Sequence, residues 1–210
     1  MLGIIRVLTH DDPHFVGEHG RLIEKHYGIV SVSRCIDQQR TGIFDAQSEA
    51  RAIPKIVALG KALENEGCNA LFLSCAADPG LLLLRQAVSV PVIAAGSAAA
   101  SVAALLQRPT AVMGIGTEAP QPFRTLLGEN VRYARPEGIT NTTDLLTPKG
   151  RAAALACAET LYTEGIEVIA FSCTGFSTIA LATAIQQQLG KIAIDAVSAA
   201  GLFISQLAPR

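Results

Sequence analysis

Residues 66–75 read Glu-Gly-Cys-Asn-Ala-Leu-Phe-Leu-Ser-Cys, and residues 164–173 read Glu-Gly-Ile-Glu-Val-Ile-Ala-Phe-Ser-Cys. Each stretch passes from Glu-Gly through an unbroken apolar run to a Ser-Cys pair. A run that is apolar at every position suits a strand buried on both faces, as in a parallel sheet covered by helices. The likeness extends outward. Cys75 is followed by a helical pattern, a second strand (Val90 to Ala94) and Ser97-Ala98-Ala99; Cys173 is followed by a helical pattern, a strand (Ile192 to Asp195) and Ser198-Ala199-Ala200. Both the cysteines and the serines are separated by about 100 positions. A repeat of this length predicts two α/β halves related by a pseudo-twofold axis, with equivalent strand ends facing one cleft.

Further strand candidates keep the alternation going: Gly3 to Leu8, Ile29 to Ser33, Thr110 to Ile115 and Val131 to Ala134. The expected division is residues 1–107, carrying Cys75 and joined by a C-terminal helix (196–210), and residues 108–195, carrying Cys173. Helix starts are marked by punctuation. Asp12-Pro13 supplies an N-cap and first-turn proline for a helix to about His26, and Asp78-Pro79 is expected to do the same after the third strand. Thr147-Pro148 opens a helix ending near Gly165. Pro54 is expected in the first turn of the helix carrying Ile56, Val57 and Leu63, or else to kink it.

Composition excludes several classes. The 210 residues carry a net charge of −1, so no basic stripe exists for nucleic acid. Uncharged stretches at 86–107 and 168–190 are long enough to span a bilayer, yet each is interrupted by Ser, Gly, Thr or Gln and reads better as strand, turn and small-residue helix. No basic-then-apolar leader opens the chain, and five cysteines form no framework. A soluble cytoplasmic protein without membrane or nucleic-acid partners is expected.

Cys75 and Cys173 each stand where a buried strand ends and a helix is about to begin. There a helix dipole and free N–H groups are expected to lower the thiol pKa and favour a thiolate. Cys35, Cys68 and Cys157 read as packing residues. The four histidines fall between positions 10 and 26, but Pro13 and the helical angles between them argue against convergence on a metal. Gly114-Ile115-Gly116 lacks the third glycine of a dinucleotide fingerprint. No metal or cofactor is expected.

Ser74-Cys75-Ala76-Ala77-Asp78-Pro79-Gly80 with Val90-Pro91-Val92-Ile93 and Gly96, together with Ser172-Cys173-Thr174-Gly175-Phe176-Ser177, resemble the paired cysteine motifs of the Asp/Glu/hydantoin racemases, in the form hydantoin-racemase-like proteins show. Arg34-Cys35, Phe44-Asp45 and the run from Asn141 to Thr147 strengthen the likeness, which covers essentially the whole chain. It implies an α/β fold of two Rossmann-like, aspartate-racemase-like parallel-sheet halves with the site between them. It also implies cofactor-independent inversion at a carbon acid, one thiolate removing the Cα proton while the opposite thiol returns one to the other face. Such thiols should lie roughly 6 to 8 Å apart.

The implied substrate is a small molecule, a 5-substituted hydantoin or related compound. Open alternatives are aspartate or glutamate racemisation, and decarboxylation or cis–trans isomerisation on the same scaffold. Amino-acid racemases of this family follow their cysteines with Asn-Thr and Thr-His, where this chain has Ala76-Ala77 and Thr174-Gly175. Backbone N–H groups at Ala76, Ala77, Thr174 and Gly175 are candidates to hold an enolate oxygen. The Asn-Pro-Asn that usually follows the first strand is replaced by Thr9-His10-Asp11-Asp12, and Thr9 and Thr117 are further substrate-binding candidates. A homo-oligomer is expected from the same resemblance.

Overall fold

In the computed structural model, which describes residues 1–207, strands form at all eight expected places. They are β1 (Leu2–Arg6), β2 (Ser31–Cys35), β3 (Ala70–Ser74), β4 (Val92–Ala94), β5 (Thr110–Met113), β6 (Arg132–Ala134), β7 (Val168–Phe171) and β8 (Ile192–Ile194). Among the described residues they make two four-stranded sheets, ordered β2-β1-β3-β4 and β6-β5-β7-β8. Every neighbouring pair is parallel. The same order twice is the sequence repeat made visible. Register puts Arg6 level with both Cys35 and Ser74, and Met113 level with Phe171, so the chain leaves neighbouring strands at one height. Cys75 and Cys173 follow immediately at those carboxyl ends, where open α/β sheets bind ligands.

The connecting helices are α1 (Pro13–Tyr27), α2 (Ala46–Asn65), α3 (Leu81–Ala87), α4 (Ala95–Leu106) and α5 (Gln121–Leu127), then α6 (Pro148–Thr163), α7 (Gly175–Thr178), α8 (Leu181–Leu189) and α9 (Ala196–Ser205). A 3₁₀ turn occupies Thr142–Leu146. Asp12 caps α1 by accepting from the His14 N–H, with Pro13 at the first position, and Thr147 caps α6 in the same way. Of the two alternatives for Pro54, the first-turn position is not the one taken. A capping box between Asp45 and Ser48 starts α2 well upstream, leaving Pro54 inside the helix. Its missing N–H frees the Ala50 carbonyl, but both residues are exposed and water can serve that group.

Two helices join the sheets. Helix α4 packs on β3 and β4 of the first sheet and also on α5, β7 and β8, whereas α9 follows β8 yet packs on α1, β3 and β4. The two also pack on each other. Ala99, Ala100 and Ala103 of α4 and Ala196, Ala199 and Ala200 of α9 are buried there, in one cluster with Ile4 and Phe72 of the first sheet and Val112 and Ala170 of the second. Small side chains let the helices approach closely, so the apolar area of both sheets is covered by a shared layer. The uncharged stretches at 86–107 and 168–190 are thus strand-and-helix core, and no described helix is long and apolar enough to cross a membrane.

Asp78 corrects the reading of Asp78-Pro79 as a helix start. Helix α3 opens from Gly80, in the left-handed region at φ 62°, without a side-chain cap. Asp78 instead turns back at φ 54° and its carboxylate accepts from the N–H groups of Gly96 and Ser97, each at 2.7 Å, and from the Ser97 hydroxyl. It therefore caps α4 from the cysteine loop. A side chain at position 96 would run into the Ala76 carbonyl oxygen, so only glycine lets that loop seat on the helix. Helix α9 is capped by its own Asp195, so the halves differ at this point. Replacing Asp78 by Ala takes the acceptor from one buried and two partly buried donors and is expected to lower the unfolding free energy by about 2 kcal/mol. Urea denaturation checks this; an unchanged midpoint would show that the cap contributes nothing.

Candidate active site

Cys75 and Cys173 open onto one cavity of about 340 Å³ between the halves. Val7, Phe44, Glu49, Ala76 and Ala77 line it from the first half; Thr117, Tyr133, Thr142, Ser172 and Thr174 line it from the second. Cys75 keeps part of its surface open, while Cys173 is 7% exposed. The Gly175 N–H donates to the Cys173 sulfur at 3.4 Å, the Thr142 hydroxyl also reaches that sulfur, and the Ala77 N–H serves Cys75.

These hydrogen bonds favour thiolates, yet burial outweighs them. Cys173 is pushed up to about 11, and Cys75 is raised further by burial, with the neighbouring Cys173 charge adding to it. The expected lowering by helix dipoles is therefore corrected. Helix α3 does not begin until Leu81, and α7, at Gly175, is a single turn, so neither thiol meets a developed macrodipole.

Of the residues proposed from sequence to hold substrate, Ala76, Ala77, Thr117 and Thr174 line the cavity, Thr117 at its exposed rim. Thr9 does not. Its hydroxyl donates to the Ile36 carbonyl at 2.6 Å and accepts from the Gln39 N–H at 2.8 Å, which turns it toward the loop after β2. Gly175 is likewise spent, on the Cys173 sulfur. Sequence reasoning missed Glu49, Tyr133 and Thr142. Glu49 looks like part of the charged face of α2. Tyr133, whose hydroxyl donates to the Gly116 carbonyl at 3.0 Å, sits in an unremarkable three-residue strand. Thr142 belongs to the Asn141-to-Thr147 run that the resemblance flagged without a role.

His19 is buried, 1% exposed. Its Nδ1 lies 2.6 Å from the Ser74 hydroxyl and its Nε2 3.2 Å from the Thr178 hydroxyl. Burial holds its pKa well below the usual range, with the Arg6 charge adding to the effect, so the ring is neutral. One ring nitrogen donates and the other accepts. The ring thereby ties the residue before Cys75 to the helix after Cys173. A Thr174 hydroxyl donating to the Ser74 carbonyl at 3.4 Å makes a second tie. His10 stacks on Phe15 with centroids 4.1 Å apart and His26 is exposed; among the described residues no group of three or more His, Cys, Asp or Glu is placed to hold a metal ion.

A family model described as Asp/Glu/Hydantoin racemase matches residues 33–201. The fold is similar to allantoin racemase from Klebsiella pneumoniae (TM-score 0.81, 22% identity, 98% of this chain and 86% of that one). It is similar also to glutamate racemase isoform RacE1 from Bacillus anthracis (TM-score 0.68, 14% identity, 98% and 80% covered). A liganded cysteine-exchange mutant of arylmalonate decarboxylase is a further neighbour (TM-score 0.71, 15% identity, 98% and 91% covered). No curated protein matches the chain.

Two outcomes are expected from this geometry. Alkylation of Cys173 by neutral iodoacetamide, followed by peptide mass spectrometry, should rise about tenfold per pH unit from pH 7 with its midpoint at about 11, because the thiolate fraction grows that way below the pKa. Saturation near pH 8 would contradict the raised thiol. Changing His19 to Ala strands the Ser74 and Thr178 hydroxyls and should cost roughly 3 kcal/mol of stability, read by urea unfolding, with Gln recovering part of it.

Proposed function

The chain belongs to the Asp/Glu/hydantoin racemase family, and from that premise we propose that it is a cofactor-independent racemase of a 5-substituted hydantoin or related cyclic carbon acid. One observation carries the reading: two cysteines, at repeat-equivalent strand ends, open onto the same cavity from opposite halves. Inversion needs two like groups on opposite faces of one carbon, and a pseudo-twofold cleft supplies them.

In the forward direction one thiolate takes the Cα proton, so a C–H bond breaks as an S–H bond forms. The electron pair left behind passes into the adjacent ring carbonyl as an enolate. N–H groups at Ala76, Ala77 and Thr174 are the candidates to receive that oxygen. The opposite thiol then gives its proton to the other face of Cα and is left as the thiolate. The enzyme ends with the roles of its cysteines exchanged, ready for the opposite enantiomer.

The raised thiols bear on the substrate. With Cys173 at about 11, only about one molecule in a thousand holds that thiolate at pH 8. Such a thiolate is a stronger base than an ordinary one, but it is scarce. The arrangement therefore suits a carbon whose proton is already acidified by a ring carbonyl. An amino acid is a harder case, because its α-carboxylate must accept a second negative charge.

The test uses single enantiomers of 5-substituted hydantoins, aspartate and glutamate in D₂O, following optical rotation and Cα deuterium. Wild type should invert at least one hydantoin, and Cys75→Ala and Cys173→Ala should each lose at least about 1,000-fold in kcat/KM. Full racemisation by either single variant would sink the two-thiol mechanism. Inversion of aspartate or glutamate alone would move the substrate to the amino acids, and loss of CO₂ from an arylmalonate without exchange would favour the lyase.

A further inference from the structure

Three of the residues lining the thiol cavity carry carboxylates, Asp45, Glu49 and Glu118; among the described residues none of its lining is Lys, Arg or His. Two of the three acids are already engaged. Asp45 accepts from the Ser48 N–H at 2.7 Å as the cap of α2, and the exposed Glu118 pairs with Arg124 at 2.8 Å. Glu49 is different. It stands in the first turn of α2, half-buried against the cavity, and burial raises its pKa with no hydrogen bond or opposite charge among the described residues to offset it. Its charge also reaches Cys75 and opposes ionisation there. A carboxylate in this position has acceptor capacity that the protein leaves unused.

We propose, resting on the racemase reading above, that Glu49 is the specificity-determining residue of this cavity: it accepts a hydrogen bond from an N–H of an uncharged cyclic ureide or of its amide or ureido substituent, and it repels substrates that bring a carboxylate toward Cys75. The chemistry is one-sided. A neutral ring rich in N–H donors satisfies the unused acceptor, whereas an anion meets a like charge and finds no cationic side chain in the lining to hold it. Two unit charges about 6 Å apart at an effective dielectric constant of about 20 disfavour binding by roughly 100-fold. That is enough to separate an amide from the matching acid of the same shape.

The charge filter can be read without knowing the substrate. Iodoacetamide and iodoacetate differ mainly in charge, and the rate ratio between them at Cys75, by peptide mass spectrometry at about pH 8.5, is divided by the ratio for a free thiol. Wild type should show an excess of about 30- to 100-fold for the neutral reagent, and Glu49→Gln should reduce it about tenfold. Any change in the Cys75 thiolate population cancels in the ratio. Glu49→Ala is a second neutral variant should the first fold poorly, with circular dichroism as the check. In parallel, Cα exchange is compared for hydantoins bearing carbamoylmethyl or carboxymethyl at C5; wild type should prefer the amide and Glu49→Gln should narrow the gap. A reagent excess that is absent, or that persists in both variants, overturns the role of Glu49 even if hydantoins are racemised. An excess that Glu49→Gln removes, with no exchange on any substrate, upholds the charge filter and removes the racemase reading instead.

Discussion

The candidate active site depends on the contact of α4 with α9. Helix α4 packs on both sheets and α9 on the first, so the two halves share a layer of alanine-sized side chains. A bulkier residue in that layer would part the helices and, with them, the strand ends that carry the thiols. The cysteine loop is fastened to the same layer, through the Asp78 carboxylate on the N-terminus of α4 and the bare backbone at Gly96. Aromatic residues are scarce, 5% of the chain with no Trp. Helices that must approach closely on both sides leave room for Ala and Gly, and the remaining volume is filled mainly by Leu, Ile and Val.

The thiols illustrate a competition that position along the chain cannot decide. Backbone N–H groups from Ala77 and Gly175 pull toward thiolate, and exclusion from water pushes toward thiol. Burial wins because the nearby donors are few and the adjoining helices begin too late or are too short to contribute a dipole. His19 adds rigidity without charge. Held neutral by burial, it spans the halves and fixes the two strand-to-helix turns relative to one another, so a change in their spacing would break one buried and one partly buried hydrogen bond at once.

All eight strands, the repeat and the starts of α1 and α6 were legible in the sequence, because apolar runs and capping residues act locally. The misreadings share one cause. Asp78-Pro79 is a credible local helix start, but the carboxylate finds better donors in a helix that lies next to it only after folding. Thr9 follows the first strand as a ligand-binding residue would, yet a backbone carbonyl and N–H from the loop after β2 use its hydroxyl first. Pro54 seemed to mark a beginning, and the Asp45–Ser48 capping box overruled it. Glu49 gave no signal because half-burial and lack of a partner are properties of its surroundings.

By itself the sequence determined the twofold α/β plan and the pairing of Cys75 with Cys173, since strand burial, helix capping and internal repetition are written in neighbouring residues. Only the tertiary structure decided which helix covers which sheet, how strongly the thiols hold their protons, and which carboxylate faces the cavity unpaired. Those outcomes depend on solvent exclusion and on partners distant in the chain, and neither quantity exists until the two halves have closed on each other.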